Sequence, residues 1–163
     1  MLCVTYLTLA PGRDAQHDSI TPFVGAGVRT LGGILAGIVV AYSLVLAVEL
    51  VGMQIFPQPP DMNPLDPESV RQHLGEISPG SFVTVLVAWG LAATAGPMVT
   101  RKIAGEIPKW PALTVVALFA ALVAYNLVVI PTPVWMIPAA VIVVGTSSVL
   151  AMRLTPWARA RVS

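Results

Sequence analysis

Residues 31–56 read LGGILAGIVVAYSLVLAVELVGMQIF, an almost unbroken apolar run with one ionisable side chain, Glu49. Leu, Val, Ile, Ala and Gly follow one another without period-two alternation. A helix is therefore predicted rather than a barrel strand, whose lumen face would be polar. About 20 such residues cross a hydrocarbon core of ~30 Å. Three further stretches have the same character, 80–100, 110–130 and 134–152, and none of them carries a charge. In lipid every backbone polar group must find its partner inside the protein, which a helix achieves within one segment. The predicted fold is all-α, a four-transmembrane-helix bundle spanning residues 28–154.

The composition of the whole chain points the same way. Of 163 residues, 56% are hydrophobic and 10% charged, and the mean hydropathy is +0.81. A water-soluble domain carries about 25% charged residues. A net charge of +1 excludes a basic nucleic-acid binder. The single cysteine, Cys3, excludes an intrachain disulfide framework and a multi-cysteine metal site.

The connections set an orientation. Arg13 and Arg29 precede the first span, Arg101, Lys102 and Lys109 lie between the second and third, and Arg153, Arg159 and Arg161 follow the fourth. Only Arg71 lies on the opposite side. The positive-inside rule then predicts a multi-pass protein of the bacterial inner (plasma) membrane with both termini in the cytoplasm. Trp110, Trp135 and Trp157 fall at predicted membrane boundaries, whereas Trp89 is deep in span two and is read as a packing residue. Residues 155–163 are read as a cytoplasmic tail. Residues 1–27 show no helical period, no basic n-region and no cleavage site, and are read as a flexible cytoplasmic segment. Alternatively the natural product starts near Val28.

The external loop, 57–79, is rich in proline and acid. Asp66 followed by Pro67 predicts a helix start, with the acid capping free amides and proline in the first helical position. Val70, Leu74 and Ile77 share one face, and Gly75 is placed to end this short amphipathic helix. Asp61, Asp66, Glu68, His73 and Glu76 match neither a calcium-loop nor a zinc spacing. No metal and no cofactor are expected, and the acids are read as a solvated face.

Within the spans, Glu49 lies seven residues from Phe56, about 10 Å deep at the helical rise. Asn126 lies about 6 Å deep by the same reckoning. Thr84 and Tyr125 fall in the same outer layer, and Tyr42 sits one heptad before Glu49 on the same face. Two readings of this candidate polar cluster stand open. In one, Glu49 bonds Asn126 or Thr84 and locks the helices together. In the other it binds a proton or a cationic ligand from outside. No nucleophile–base pair and no paired carboxylates accompany it, so an enzyme is not expected. Small residues supply helix packing: Gly33, Gly37 and Ala41 on span one, and Ala88, Ala92 and Gly96 on span two. Their simplest use is close approach within that hairpin, with a homodimer as the lesser alternative. Gly96-Pro97 is expected to bend or end span two. Both odd spans exit through Pro-x-Pro, at Pro57–Pro59 and Pro131–Pro133, which suggests two similar hairpins.

The run Val48-Glu49 with Gly52, Phe56-Pro57 and the Pro/Asp loop, then Ala88-Trp89, and Asn126 before Ile130-Pro131, resembles a group of small bacterial four-span integral membrane proteins described only as hypothetical. The resemblance spans about residues 28–154 and implies a four-helix bundle but no activity. A histidine often follows the glycine in that group. Met53 stands there in this chain, so no metal or proton role is carried over. The functional expectation is a non-enzymatic accessory or interaction subunit bound to the lipid bilayer, with a homo-oligomer or larger membrane complex left open and no nucleic-acid partner. The alternative is a small oligomeric proton- or cation-coupled carrier using Glu49. Small multidrug transporters also combine four spans with a glutamate in the first, but theirs lies near mid-membrane and their loops are short.

Overall fold

A computed structural model describes residues 21–64, 66–104 and 109–154, with the side chains of 21–24 excluded. The expected tail 155–163, most of segment 1–27 and residues 105–108 of the basic link lie outside these residues. The described chain is all-helical: α1 Thr21–Ile55, α2 Pro67–His73, α3 Pro79–Ala104, α4 Trp110–Val129 and α5 Met136–Leu154. Four of these helices, all but α2, are long and apolar enough to cross a membrane.

Two helix limits differ from the sequence reading. Helix α1 is already formed at Thr21, the first described residue, well before the first apolar run. Gly25 and Gly27 are weak helix formers, at about 1 kcal/mol each, yet they do not stop a long propagating helix. Helix α3 runs through Pro97 to Ala104, so Gly96-Pro97 does not end it. The proline ring is buried. Loss of one i→i−4 bond is tolerated here because no water competes for the remaining backbone groups.

Helix α3 is the centre of the bundle and touches α1, α4 and α5. Its junction with α1 is made by small residues at four-residue spacing. Gly33 faces Thr100 and Ala104, Gly37 faces Gly96 and Thr100, and Ala41 meets Gly96. Toward the other end Gly52 faces Thr84, and Gly80 faces the Phe56 ring. Ala88 and Ala92 are fully buried on the same helix. Lipid tails are as apolar as leucine, so burying hydrocarbon gives little drive for association, and contact at backbone distance supplies it instead. This small-residue face is occupied within the hairpin.

The larger side chains gather where α3, α4 and α5 meet. Leu86, Trp89, Ala93, Val123, Met136, Ala140 and Val144 form this core, and Phe119, Val45 and Val85 pack against it. Phe82 meets Trp135 edge to face, with ring centroids 6.2 Å apart. At the opposite end Arg101 Nη1 donates to Met152 O at 3.0 Å and ties α3 to the last turn of α5. The two hairpins are not alike in packing. Helices α1 and α3 adhere closely, whereas α4 and α5 hardly touch and α5 lies on α3.

The connector between α1 and α3 is ordered by local rules. Asp66 Oδ1 accepts from Glu68 N–H at 3.1 Å, and Pro67 opens α2. Asn63 N–H donates to Ser69 Oγ at 2.9 Å, and His73 Nδ1–H donates to Ser69 O at 2.9 Å. Val70 is buried, Leu74 and Ile77 are half-buried, and Asp61, Asp66, Glu68 and Glu76 are all exposed. Gly75 follows the C-cap Leu74 without adopting a left-handed conformation.

A Cβ at Gly37 would stand 2.7 Å from Gly96 O and collide with Thr100 Oγ1. Gly37→Val should therefore lower stability in mixed micelles by about 1–3 kcal/mol, the usual cost of overpacking. Gly32→Ala, with nothing within 4 Å, should leave stability unchanged or slightly raised, and equal losses in both variants would contradict the close approach.

Candidate functional site

Three rows of side chains converge beside the α1–α3 junction. On α1 they are Ile38, Tyr42, Val45 and Glu49; on α3, Phe82, Val85 and Trp89; on α4, Val115, Phe119, Leu122 and Asn126. Each row repeats at steps of three and four, the spacing that keeps residues on one helical face. Together they line a groove of about 720 Å³ between α1 and α4, with α3 as its floor and Ile130, Thr132 and Met136 at its connector end. The rims are exposed, Tyr42 by 59%, Leu118 by 51% and Leu122 by 48%, so the groove opens along the flank of the bundle. Its volume falls in the range of ordinary small-molecule sites.

Polar groups are few and lie toward the connector end. Glu49 is half-buried and lies about 10 Å below the end of α1 on the helical rise. Asn126 Nδ2 donates to Leu122 O at 3.0 Å within its own helix, leaving the carboxamide oxygen as an acceptor. Tyr42 is one heptad deeper than Glu49 on the same row. Thr132 adds a hydroxyl at the connector end, and the remaining lining is apolar.

The five expected polar residues thus separate by direction. Glu49, Asn126 and Tyr42 line the groove. Thr84 points to the α1–α3 junction, where it meets Gly52, and its hydroxyl donates to Gly80 O at 3.0 Å. Tyr125 lies outside the groove with 65% of its surface exposed. No hydrogen bond or ion pair to Glu49 forms among the described residues, since Asn126 and Thr84 are each bonded back to their own helix. Their own hydroxyl or amide satisfies a local carbonyl instead of a neighbouring helix. In span four, Thr146 Oγ1 likewise donates to Ile142 O at 2.6 Å.

Phe82, Phe119 and Met136 were not anticipated as groove residues, and Trp89, expected in the packing, serves both the core and the groove wall. The three-and-four spacing on each helix was available as a signal. Which of several such rows would face each other was not. Among the described residues no group of three or more metal-ligating side chains comes together.

A carboxyl that locked two helices would lose about 1 kcal/mol of stability per interhelical bond when replaced. Glu49 makes no such bond, and Glu49→Leu should leave the thermal midpoint in detergent unchanged or raised. A clear fall, measured beside the isosteric Glu49→Gln, would restore the locking role.

Comparison with protein-family models, with curated proteins and with solved structures finds no match for this chain.

Proposed function

We propose that this chain is a non-enzymatic multi-pass protein of the bacterial inner membrane that serves as an accessory or interaction subunit, with its acidic connector as the contact surface. The observation that carries the reading is the construction of that connector. Among its described residues Val70 is the buried side chain, and local hydrogen bonds order the start of α2. All four of its acids project outward. The Glu68–Arg71 pair, at 3.9 Å with both side chains about two-thirds exposed, contributes little to stability. An ordered, outward-facing set of carboxylates is suited to meeting a basic partner, where complementary charge raises association rate and specificity.

The charge partition supports the orientation. Among the described residues, Arg29, Arg101, Lys102, Lys109 and Arg153 sit at one end of the bundle, and the four connector acids with Arg71 at the other. The positive-inside rule puts the first end in the cytoplasm. The resemblance to small bacterial four-span proteins supports the choice of membrane. The groove supports a binding role over a chemical one, because its polar lining comprises a carboxyl, an amide, a phenol and the Thr132 hydroxyl. Catalysis of acyl or phosphoryl transfer needs an activated nucleophile beside its base.

The second reading is a proton- or cation-coupled carrier, favoured by the place of Glu49 in a laterally open groove. Loss of uptake into vesicles on Glu49→Gln, with folding intact, is its measurement.

Two outcomes are expected for the subunit reading. After gentle extraction the protein should co-purify with a partner, and the double reversal Asp61→Lys with Glu76→Lys should reduce recovery severalfold. Surface changes of this kind alter stability by less than about 0.5 kcal/mol, so an unchanged thermal midpoint accompanies the loss. A monodisperse chain without a partner, indifferent to the reversal, contradicts it. In a Cys3→Ser background, Asp61→Cys should be modified by a membrane-impermeant maleimide in intact spheroplasts, and modification only after lysis would invert the orientation.

A further inference from the structure

The groove contains an imbalance that the subunit role does not use. Near the connector its Glu49 carboxyl and Asn126 carboxamide oxygen are both hydrogen-bond acceptors, the Thr132 hydroxyl stands beyond them, and no protein donor is bonded to Glu49 among the described residues. The basic side chains Arg29, Arg101, Lys102, Lys109 and Arg153 lie at the other end of the bundle. On the connector side the basic residue is Arg71, beside Glu68 at 3.9 Å. An ionised carboxyl at this depth costs several kcal/mol unless a cation or donor meets it.

Below this acceptor pair the lining is apolar apart from the Tyr42 hydroxyl. From Glu49 to Ile38 the α1 row descends about 16 Å on the helical rise, past Val45 and opposite Phe119 and Trp89. The site therefore has an acceptor end near the connector-side surface and an apolar length reaching toward mid-membrane. Its rims are exposed along the flank, so a ligand dissolved in the surrounding leaflet can reach it sideways. We propose that the groove binds a single-chain amphiphile with a protonated amine head, the ammonium seated between Glu49 and Asn126 and the hydrocarbon lying along Val45, Phe119 and Trp89.

The charge pattern selects this occupant over the others. An ordinary lipid tail fills the apolar length but offers the carboxyl nothing. A quinone carbonyl can accept from Thr132 or Asn126 but, being neutral and an acceptor, gives the Glu49 carboxyl neither a donor nor a countercharge. An ammonium donates to both oxygens and carries the opposite charge, and aromatic side chains along the wall tolerate a cation nearby. The inference rests on the groove and its carboxyl, and it holds whether or not the chain is a subunit of a complex.

The experiment uses the full chain in phosphatidylcholine vesicles, with Trp110→Phe, Trp135→Phe and Trp157→Phe leaving Trp89 as the fluorophore. The probes are 12-bromododecylamine and 12-bromododecanol, compared at equal mole fraction in the bilayer, because bromine quenches indole only at close range. The amine should quench saturably, with half-saturation at about a tenfold lower mole fraction than the alcohol, the worth of one charge-assisted hydrogen bond. Glu49→Gln should bring the amine to the value of the alcohol and leave the alcohol unchanged. Should that variant fail to fold, the amine-to-alcohol ratio in the parent chain decides alone. Equal half-saturation of the two probes overturns the proposal, as does quenching that rises linearly without saturating, the signature of bulk lipid. Tighter quenching by decylubiquinone than by the amine overturns it in favour of a quinone. Saturable amine binding without flux across the vesicle leaves the proposal standing and removes the carrier reading.

Discussion

The close contact of α1 with α3 is the interaction on which the rest of the bundle depends. In lipid two apolar helices gain little by burying hydrocarbon, so they adhere only where backbones come near enough for dispersion to act over many atoms. Gly33, Gly37 and Gly52 on one helix, with Gly96 and the buried Thr100 on the other, provide that approach. The contact uses a narrow strip of α1 and leaves most of its circumference to other neighbours. Helix α5 lies on another side of α3, and α4 meets α1 only in part. The groove is the space left by this arrangement: α1 is held to α3 on a small-residue strip, and the larger side chains next to that strip stand away from α4.

Glu49 gains its meaning from that geometry. Its row on α1 is adjacent to the small-residue strip, so the contact that fixes α1 also fixes the direction of the carboxyl. A glutamate directed into the junction with α3 would meet backbone, and one directed away would meet hydrocarbon. In the groove it has room for a partner that is not part of its own helix pair. The Thr84 hydroxyl donates to Gly80 O and one Asn126 amide hydrogen to Leu122 O, and neither side chain is bonded to the carboxyl. Intramembrane carboxyls without protein partners are costly, and they are associated with bound ions, protons or ligands.

The connector follows different physics. Outside the hydrocarbon its order comes from local hydrogen bonds: an aspartate cap, a proline in the first turn and a serine accepting from a backbone amide three residues before the cap. Each of these acts over a few residues and needs no distant contact. That independence lets α2 form with its acids exposed and Val70 buried. One membrane protein thus combines a segment specified by neighbours in sequence with a bundle specified by neighbours in space.

Residues 31–56 and their three counterparts determined by themselves that the chain has four apolar helices, because hydrophobic length against bilayer thickness is a local comparison. The Asp66-Pro67 helix start and the small-residue runs were equally legible. So was the depth of Glu49 and Asn126, since depth along a helix is obtained by counting residues. Direction around the helix was not, because it has meaning only relative to a neighbour. Adjacent residues point about 100° apart, so Tyr125 and Asn126 share a depth while only Asn126 lines the groove. Thr84 shares that layer yet meets Gly52. Continuation of α3 through Pro97 likewise depended on surroundings, a buried ring in a setting without competing water. Only the tertiary structure decided which faces met, and with them that the carboxyl and amide of the outer layer share one site with a phenol about a heptad deeper.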